Sequence, residues 1–231
     1  MTEILSPFRH KNNIFDNPYF AAYSLYRVGL SCLPLRLDGS KSPAFSTSHP
    51  YLHQRATIED IEGWFAPRNG SIPKRGIGIV CGPISGNLEA IDFDDASIIR
   101  PFEVEIRCQA PELLEKLVWV ITPRPGLQLF YRCPAVGRNQ ILAAKEMPAN
   151  AYQIQTRQAY RNKNNLLVIR KVLIETRAEG GYCVAVGSPA AVHKSGRPYR
   201  FYPGKRNYSE IQTITPEERD ILFRAAKSFC L

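Results

Sequence analysis

The pattern of apolar and polar positions predicts alternating helices and strands along most of the chain. "NPYFAAYSLYRVG" has helical spacing and stops at Gly29, a plausible helix-ending glycine. "LSCLPLR" is a short apolar strand, and "DGSKSPAF" after it is a loop that presents Lys41. "TIEDIEGWFA" opens with Thr57 and Asp60 in a capping-box arrangement and reads as a helix. "GIGIVCG" and "LEAIDFD" are buried strands around the turn "PISGN", a pattern that predicts a hairpin. "PELLEKL" suggests a short helix, and "VWVIT" and "LQLFYRC" are strands around "PRPG". Residues 135–165 carry the weakest pattern. "NLLVIRKVLIETR" is mostly strand, and "GGYCVAVGSPAAVHKSGRPYRFY" contains a strand, a loop and a second short strand. "TPEERDILFRAAKSF", over residues 215–229, is an amphipathic helix capped by Thr215. This mixture predicts an α+β protein with a largely antiparallel sheet.

One strand ends in an unusual way. In "NLEAIDFDD" the apolar run Leu88–Ile91 gives way to Asp92 and Asp94, separated by Phe93. Side chains alternate along a strand, so the two aspartates share a face, roughly 7 Å apart, while Phe93 points to the other. Two carboxylates this close repel unless a cation lies between them. A D-x-D strand end therefore suits half of a divalent-metal site for phosphoryl chemistry. It equally suits a solvated strand end with Asp95 capping the next helix. A second carboxylate stands in "VLIETRAEGGY", where Glu175 and Arg177 share a face opposite Ile174. An arginine beside a metal-type carboxylate can hold phosphate; an ion pair on an edge strand has the same pattern.

Charge changes the picture further. The formal net charge is +9, and it is unevenly spread. Residues 1–120 carry 12 Lys+Arg against 14 Asp+Glu, and residues 121–231 carry 18 against 7. Between Glu146 and Glu175 there is no acidic residue, while Arg157, Arg161, Lys163, Arg170 and Lys171 are interleaved with Tyr152 and Tyr160. Basic residues with aromatics suit a polyanion whose bases stack, such as single-stranded nucleic acid. Lys194, Arg197, Lys205 and Arg206 form the alternative basic patch. The acidic pair lies in the half that is not basic, so a metal site would be flanked by a phosphate-attracting surface.

Composition narrows the class. At 231 residues, with 44% hydrophobic and 22% charged content, the chain can bury a proper core and reads as globular, one large domain or two small lobes over residues 1–231. No apolar run reaches transmembrane length, and "MTEILSPFRHKNN" has no long apolar stretch of the secretory kind, so a cytoplasmic protein with no membrane partner is expected. The six cysteines are scattered without a C-x-x-C pair and predict reduced, buried thiols rather than a disulfide framework or zinc site. His49 and His53 lie four apart but have no third ligand nearby.

Four stretches in order carry a resemblance: "AAYSLYRVGLSCLPLRLDGSKSPA", "IGIVCGPISGNLEAIDFDD", "ITPRPGLQLFYR" and "IETRAEGGYCVAVGSPAAVHKSGRPY". Over residues 20–203 the chain resembles the prim-pol branch of the archaeo-eukaryotic primase superfamily. The resemblance implies a two-lobed fold, with an RRM-like antiparallel catalytic sheet and an N-terminal α/β lobe. It implies nucleotidyl transfer, as DNA polymerase or primase in replication of a plasmid, phage or related element, with two Mg²⁺ or Mn²⁺ ions. Asp92, Asp94 and Glu175 match the acidic positions and would ligate the metals. Arg177, beside the third motif, would contact triphosphate or template. Lys41 matches the lysine of the family's lysine–proline turn, and His193, Lys194 and Ser195 lie in the loop that follows the third motif. Gln128 stands where the family usually has a phosphate-contacting histidine; it can donate a neutral hydrogen bond but carries no charge, and Arg124 in the same turn could supply that charge. The expected partners are nucleoside triphosphates, single-stranded DNA or primer-template held by Arg157, Arg161, Lys163, Lys194 and Arg197, and a replicative helicase in the same or a separate chain. Two alternatives stay open: a catalytically weak nucleic-acid-binding protein of this fold, and a two-metal nuclease using the same carboxylates. Against the nuclease, Arg177 stands where many restriction-like nucleases place a lysine.

Overall fold

The computed structural model describes residues 14–45, 50–71 and 74–230; His49 lies outside them. The chain forms six α-helices and ten strands among these residues, and the strands make two antiparallel sheets. The small sheet has the order β1 (Cys32–Leu35), β2 (Gly76–Val80), β9 (Tyr182–Val184). The large one runs β10 (Arg200–Phe201), β4 (Val118–Thr122), β5 (Gly126–Arg132), β3 (Leu88–Phe93), β8 (Leu167–Arg177), β6 (Ile141–Pro148), with β7 (Tyr160–Arg161) paired to the far end of β8.

The helices form where local chemistry starts them. In α1 (Pro18–Arg27), Asn17 caps Tyr19 and Pro18 occupies the first turn, where its missing N–H costs nothing. The capping box expected at Thr57 opens α2 (Ile58–Phe65), and the cap expected at Thr215 opens α6 (Pro216–Lys227) as a full capping box with Glu218. Between them come α3 (Ile99–Gln109), α4 (Leu113–Lys116) and α5 (Ala151–Gln155).

Two elements depart from the sequence pattern. Helix α3 follows the D-x-D strand, and its pattern is masked by Pro101 and by β-branched Ile98, Ile99 and Val104; Phe102 and Ile106, four apart, are its buried face. The predicted β2–β3 hairpin does not form. Gly82 and Leu88 make one isolated bridge, and the chain then passes from the small sheet to the large. Both strands are buried on both sides, and each has two flanking partners: β1 and β9 for β2, β5 and β8 for β3. A second crossing, from β8 to β9, runs beside the first, with Cys81 N–H donating to Gly181 O at 2.9 Å. Gly82 has φ +90°, and a Cβ there would stand 2.8 Å from Glu179 Cα, so only glycine fits this approach.

The two faces of the large sheet have different covers. Ile91, Phe93, Trp119, Leu127, Leu129, Tyr131 and Ile174 pack beneath α3, α4 and α6. On the opposite face Leu88, Ala90, Val118, Val120 and Phe130 join the core of the small-sheet lobe with α1 and α2. That apolar face becomes polar at one end, where the aspartates stand. Four cysteines are buried, Cys32, Cys81, Cys133 and Cys183, whereas Cys108 and Cys230 are exposed rather than buried as expected; all six are free. Among the described residues no helix is long and apolar enough to cross a membrane.

Candidate active site

Strand register assembles the site. Asp92 on β3 lies directly opposite Gln128 on β5 and, on its other side, opposite Glu175 on β8. Residues opposite one another in antiparallel strands share a face, with Cβ atoms about 4.5–5.5 Å apart. The row Gln128–Asp92–Glu175 is thus three polar side chains abreast on the face that packs against the small-sheet lobe. Asp94 follows just past the strand end, where its N–H donates to Leu173 O at 3.0 Å, and its side chain is exposed. Arg177, opposite Ala90, shares this face. Its guanidinium pairs with Glu175 and stands 3.9 Å from Asp92.

The electrostatics follow from this crowding. Burial and the neighbouring Asp94 push the Asp92 carboxyl up to about 6, with Glu175 adding to the rise and Arg177 and the Gln128 amide opposing it. Burial alone would lower the Arg177 pKa, but Glu175, Asp92 and Asp94 raise it overall. Among the described residues, no three His, Cys, Asp or Glu side chains converge into a finished metal cage; Arg177 supplies the positive charge between Asp92 and Glu175. The donor set is nonetheless all oxygen, and Asp92 is short of counter-charge. Both features fit a hard divalent cation.

A basic cluster borders the row. His193 is buried, and its pKa is lowered by burial and by the positive charges of Lys41, Arg124 and Lys194. Ser40 and His193 form a backbone bridge, and a Cβ on Gly39 would lie 2.9 Å from Lys194 Cα. The Ser195 N–H donates to His193 Nδ1 at 3.0 Å, leaving the proton of the neutral ring on Nε2. Lys41 sits at φ +60°, and its carbonyl accepts from the Tyr182 hydroxyl at 3.1 Å.

The remaining basic residues fall in two places. Lys194 and Arg197 are exposed in the loop beside His193. Arg157, Arg161 and Lys163 lie on an arm built from the far ends of β6 and β8 with α5 and β7. Strand β8 links the two regions: from Leu167 to Glu175 is about 26 Å at roughly 3.3 Å per residue. Arg161 donates to Asn165 O at 2.8 Å and so holds the arm's turn, whereas Arg157 and Lys163 are exposed. Exposed Tyr152, Tyr160 and Leu166 lie on the same arm. Lys205 and Arg206 belong elsewhere, tied to Glu115 at 2.7 and 2.6 Å.

These features sit in a recognised frame. The family described as bifunctional DNA primase/polymerase, N-terminal (Prim-Pol) matches residues 22–217. The chain belongs to the Prim-Pol family. Membership supports a DNA primase/polymerase-type function and implies binding of DNA and nucleotides. No curated protein matches the chain.

Within this Prim-Pol domain two residues carry weight that the sequence pattern did not assign. Tyr199 is buried edge-on to His193, ring centroids 6.5 Å apart, and burial and the Asp92 charge push its phenol up. It precedes Phe201 by two residues, and Phe201 pairs with Val120 at the end of the Gln128 row; that alternation was its only sequence signal. Glu89 is fully buried on the opposite face, where Tyr131 and Arg219 hold it. Gln128 has a feature that the sequence pattern did not show. Its amide faces Asp92, and its buried side-chain oxygen has no partner.

Proposed function

We propose that this Prim-Pol domain catalyses template-dependent nucleotidyl transfer, joining a nucleoside triphosphate to a 3′-hydroxyl in replication of a plasmid, phage or related element. The observation that carries the reading is the side-by-side placement of Asp92 and Glu175, with Asp94 one step beyond, against a basic cluster of Lys41, Arg124 and Lys194. Asp92, Asp94 and Glu175 would hold two divalent cations, Mg²⁺ or Mn²⁺. Bound there, such ions stabilise charge on the attacking and leaving oxygens. The chain's own residues do the rest. Lys41, Arg124 and Lys194 draw in the triphosphate, and His193 Nε2–H can donate to one of its oxygens. Arg177 balances Asp92 and Glu175 in the free protein and is the guanidinium nearest the reacting phosphates. The arm, with Arg157, Lys163 and its exposed aromatics, supports single-stranded DNA or primer-template away from the chemistry.

Primer extension with labelled primer-template, Mn²⁺ or Mg²⁺ and nucleotides tests the reading. Wild type should lengthen the primer. Asp92→Ala, Asp94→Ala and Glu175→Ala should each abolish addition while leaving DNA binding nearly intact. Asp94→Ala working within about tenfold of wild type, roughly 1.4 kcal/mol of barrier, would overturn the metal assignment. The catalytically weak alternative is favoured by one feature, the Arg177 guanidinium lodged between Asp92 and Glu175; it predicts binding without extension. Primer shortening would point to a nuclease.

A further inference from the structure

Among the described residues, Gln128 Oε1 is the one buried side-chain polar atom without a hydrogen-bond partner. Gln128 is 4% exposed and lies directly beside Asp92 in the strand register. Its orientation has a cause. The amide nitrogen is turned toward the Asp92 carboxylate and favours its charged form, and turning the group over would bring two oxygens face to face. The free atom is therefore an acceptor, held next to the carboxylate row. An orphaned buried acceptor destabilises the folded protein by about 1–3 kcal/mol, and such atoms in native structures call for an explanation.

The chemistry of the ligand selects the partner. Triphosphate oxygens at neutral pH only accept, so Oε1 has nothing to give or take from them. Nucleotidyl transfer brings a 3′-oxygen and an α-phosphorus together, and both are attached to a sugar. A sugar hydroxyl is thus the donor that this reaction carries nearest to the carboxylates. Resting on the nucleotidyl-transfer reading above, we propose that Gln128 accepts a hydrogen bond from a sugar hydroxyl at the reaction centre and so reads the sugar rather than the phosphate. The hydroxyl has three sources: the 2′- or 3′-position of the incoming nucleotide, or the 3′-end of the primer. Because Oε1 is closed to solvent in the free protein, the side chains that cover it must move aside as the ligand enters.

Isothermal titration calorimetry with Mn²⁺ and without template separates the sources. ATP against dATP isolates the 2′-hydroxyl, and dATP against 2′,3′-dideoxyATP isolates the 3′-hydroxyl. Primer-template ending in a 3′-hydroxyl against one ending in 3′-hydrogen, without nucleotide, isolates the primer end. Gln128→Met keeps the side-chain length and removes the acceptor. It should weaken one hydroxyl-bearing ligand by about tenfold and leave its deoxy counterpart unchanged, collapsing one of the three ratios. Gln128→Glu retains an acceptor and should retain that ratio. Equal weakening of every ligand, as loss of a metal-binding oxygen would give, overturns the inference alone. So does no weakening. Wild type binding neither nucleotide nor primer-template overturns the inference together with the reading on which it rests.

Discussion

At the residue scale, Asp92 sets the behaviour of the free site. Its carboxyl is raised to about 6, from an unfolded value near 4, because it is buried beside Asp94 and Glu175. The native state therefore binds the proton more tightly than the unfolded chain. Stability from this group is present below pH 4, declines as pH rises through the window from about 4 to 6, and is absent above it. In metal-free protein, Asp92→Asn should raise the Tm at pH 7.5 and change it little at pH 4, a difference on the order of 2 kcal/mol. Thermal unfolding at both pH values, with a chelator present, checks this. Adding Mn²⁺ at pH 7.5 should stabilise wild type and not the variant. A variant stabilised equally at both pH values would mean that the Asp92 charge is not strained.

At the element scale, α6 is fastened to β3 by a buried ion pair. Arg219 donates to both oxygens of Glu89 at 2.5 and 2.9 Å, Tyr131 donates to Glu89 at 2.8 Å, and the guanidinium lies 3.9 Å from the Phe223 ring centre. Removing one partner strands a buried charge, so Arg219→Ala should destabilise by about 3–5 kcal/mol in urea unfolding. Glu89 thus holds the carboxylate-bearing strand from behind, although it lies only three residues from Asp92. The arm makes the complementary case. Arg157 and Lys163 are exposed and Arg161 is committed to the turn, so the double substitution Arg157→Ala with Lys163→Ala should leave the fold intact. It should lower the log–log salt slope for single-stranded DNA binding by about 1.4, near 0.7 per lost phosphate contact. An unchanged slope would move the polyanion site to Lys194 and Arg197.

At the scale of the whole molecule, three crossings join the sheets, two of them side by side, and the carboxylate row stands where the packing between the lobes ends. Gly82 is a tight point of the first crossing, with φ +90° and Glu179 pressed against it. Gly82→Ala should cost more than about 1 kcal/mol and weaken nucleotide binding together with stability, because Glu179 lies two residues past Arg177. Chemical denaturation and nucleotide titration of the same variant check it. A stable variant with weakened binding would instead place Gly82 in the site itself.

The sequence by itself determined what depends on near neighbours. The capping box at Thr57, the cap at Thr215, the β4–β5 hairpin around "PRPG", the shared face of Asp92 and Asp94, and that of Glu175 and Arg177 follow from alternation and from hydrogen bonds spanning two to four residues. The order of four short stretches was enough to indicate the family. Tertiary structure alone decided which strands lie side by side. It separated β2 from β3, each buried on both faces and flanked by two other partners. It set Gln128 against Asp92, 36 positions earlier in the chain, and turned the glutamine's amide inward so that its oxygen, not its nitrogen, was left free. It also paired Glu89 with Arg219, 130 residues away. Lateral register is fixed by the competition of all strands for neighbours and by what each face must bury, and no local pattern contains that information.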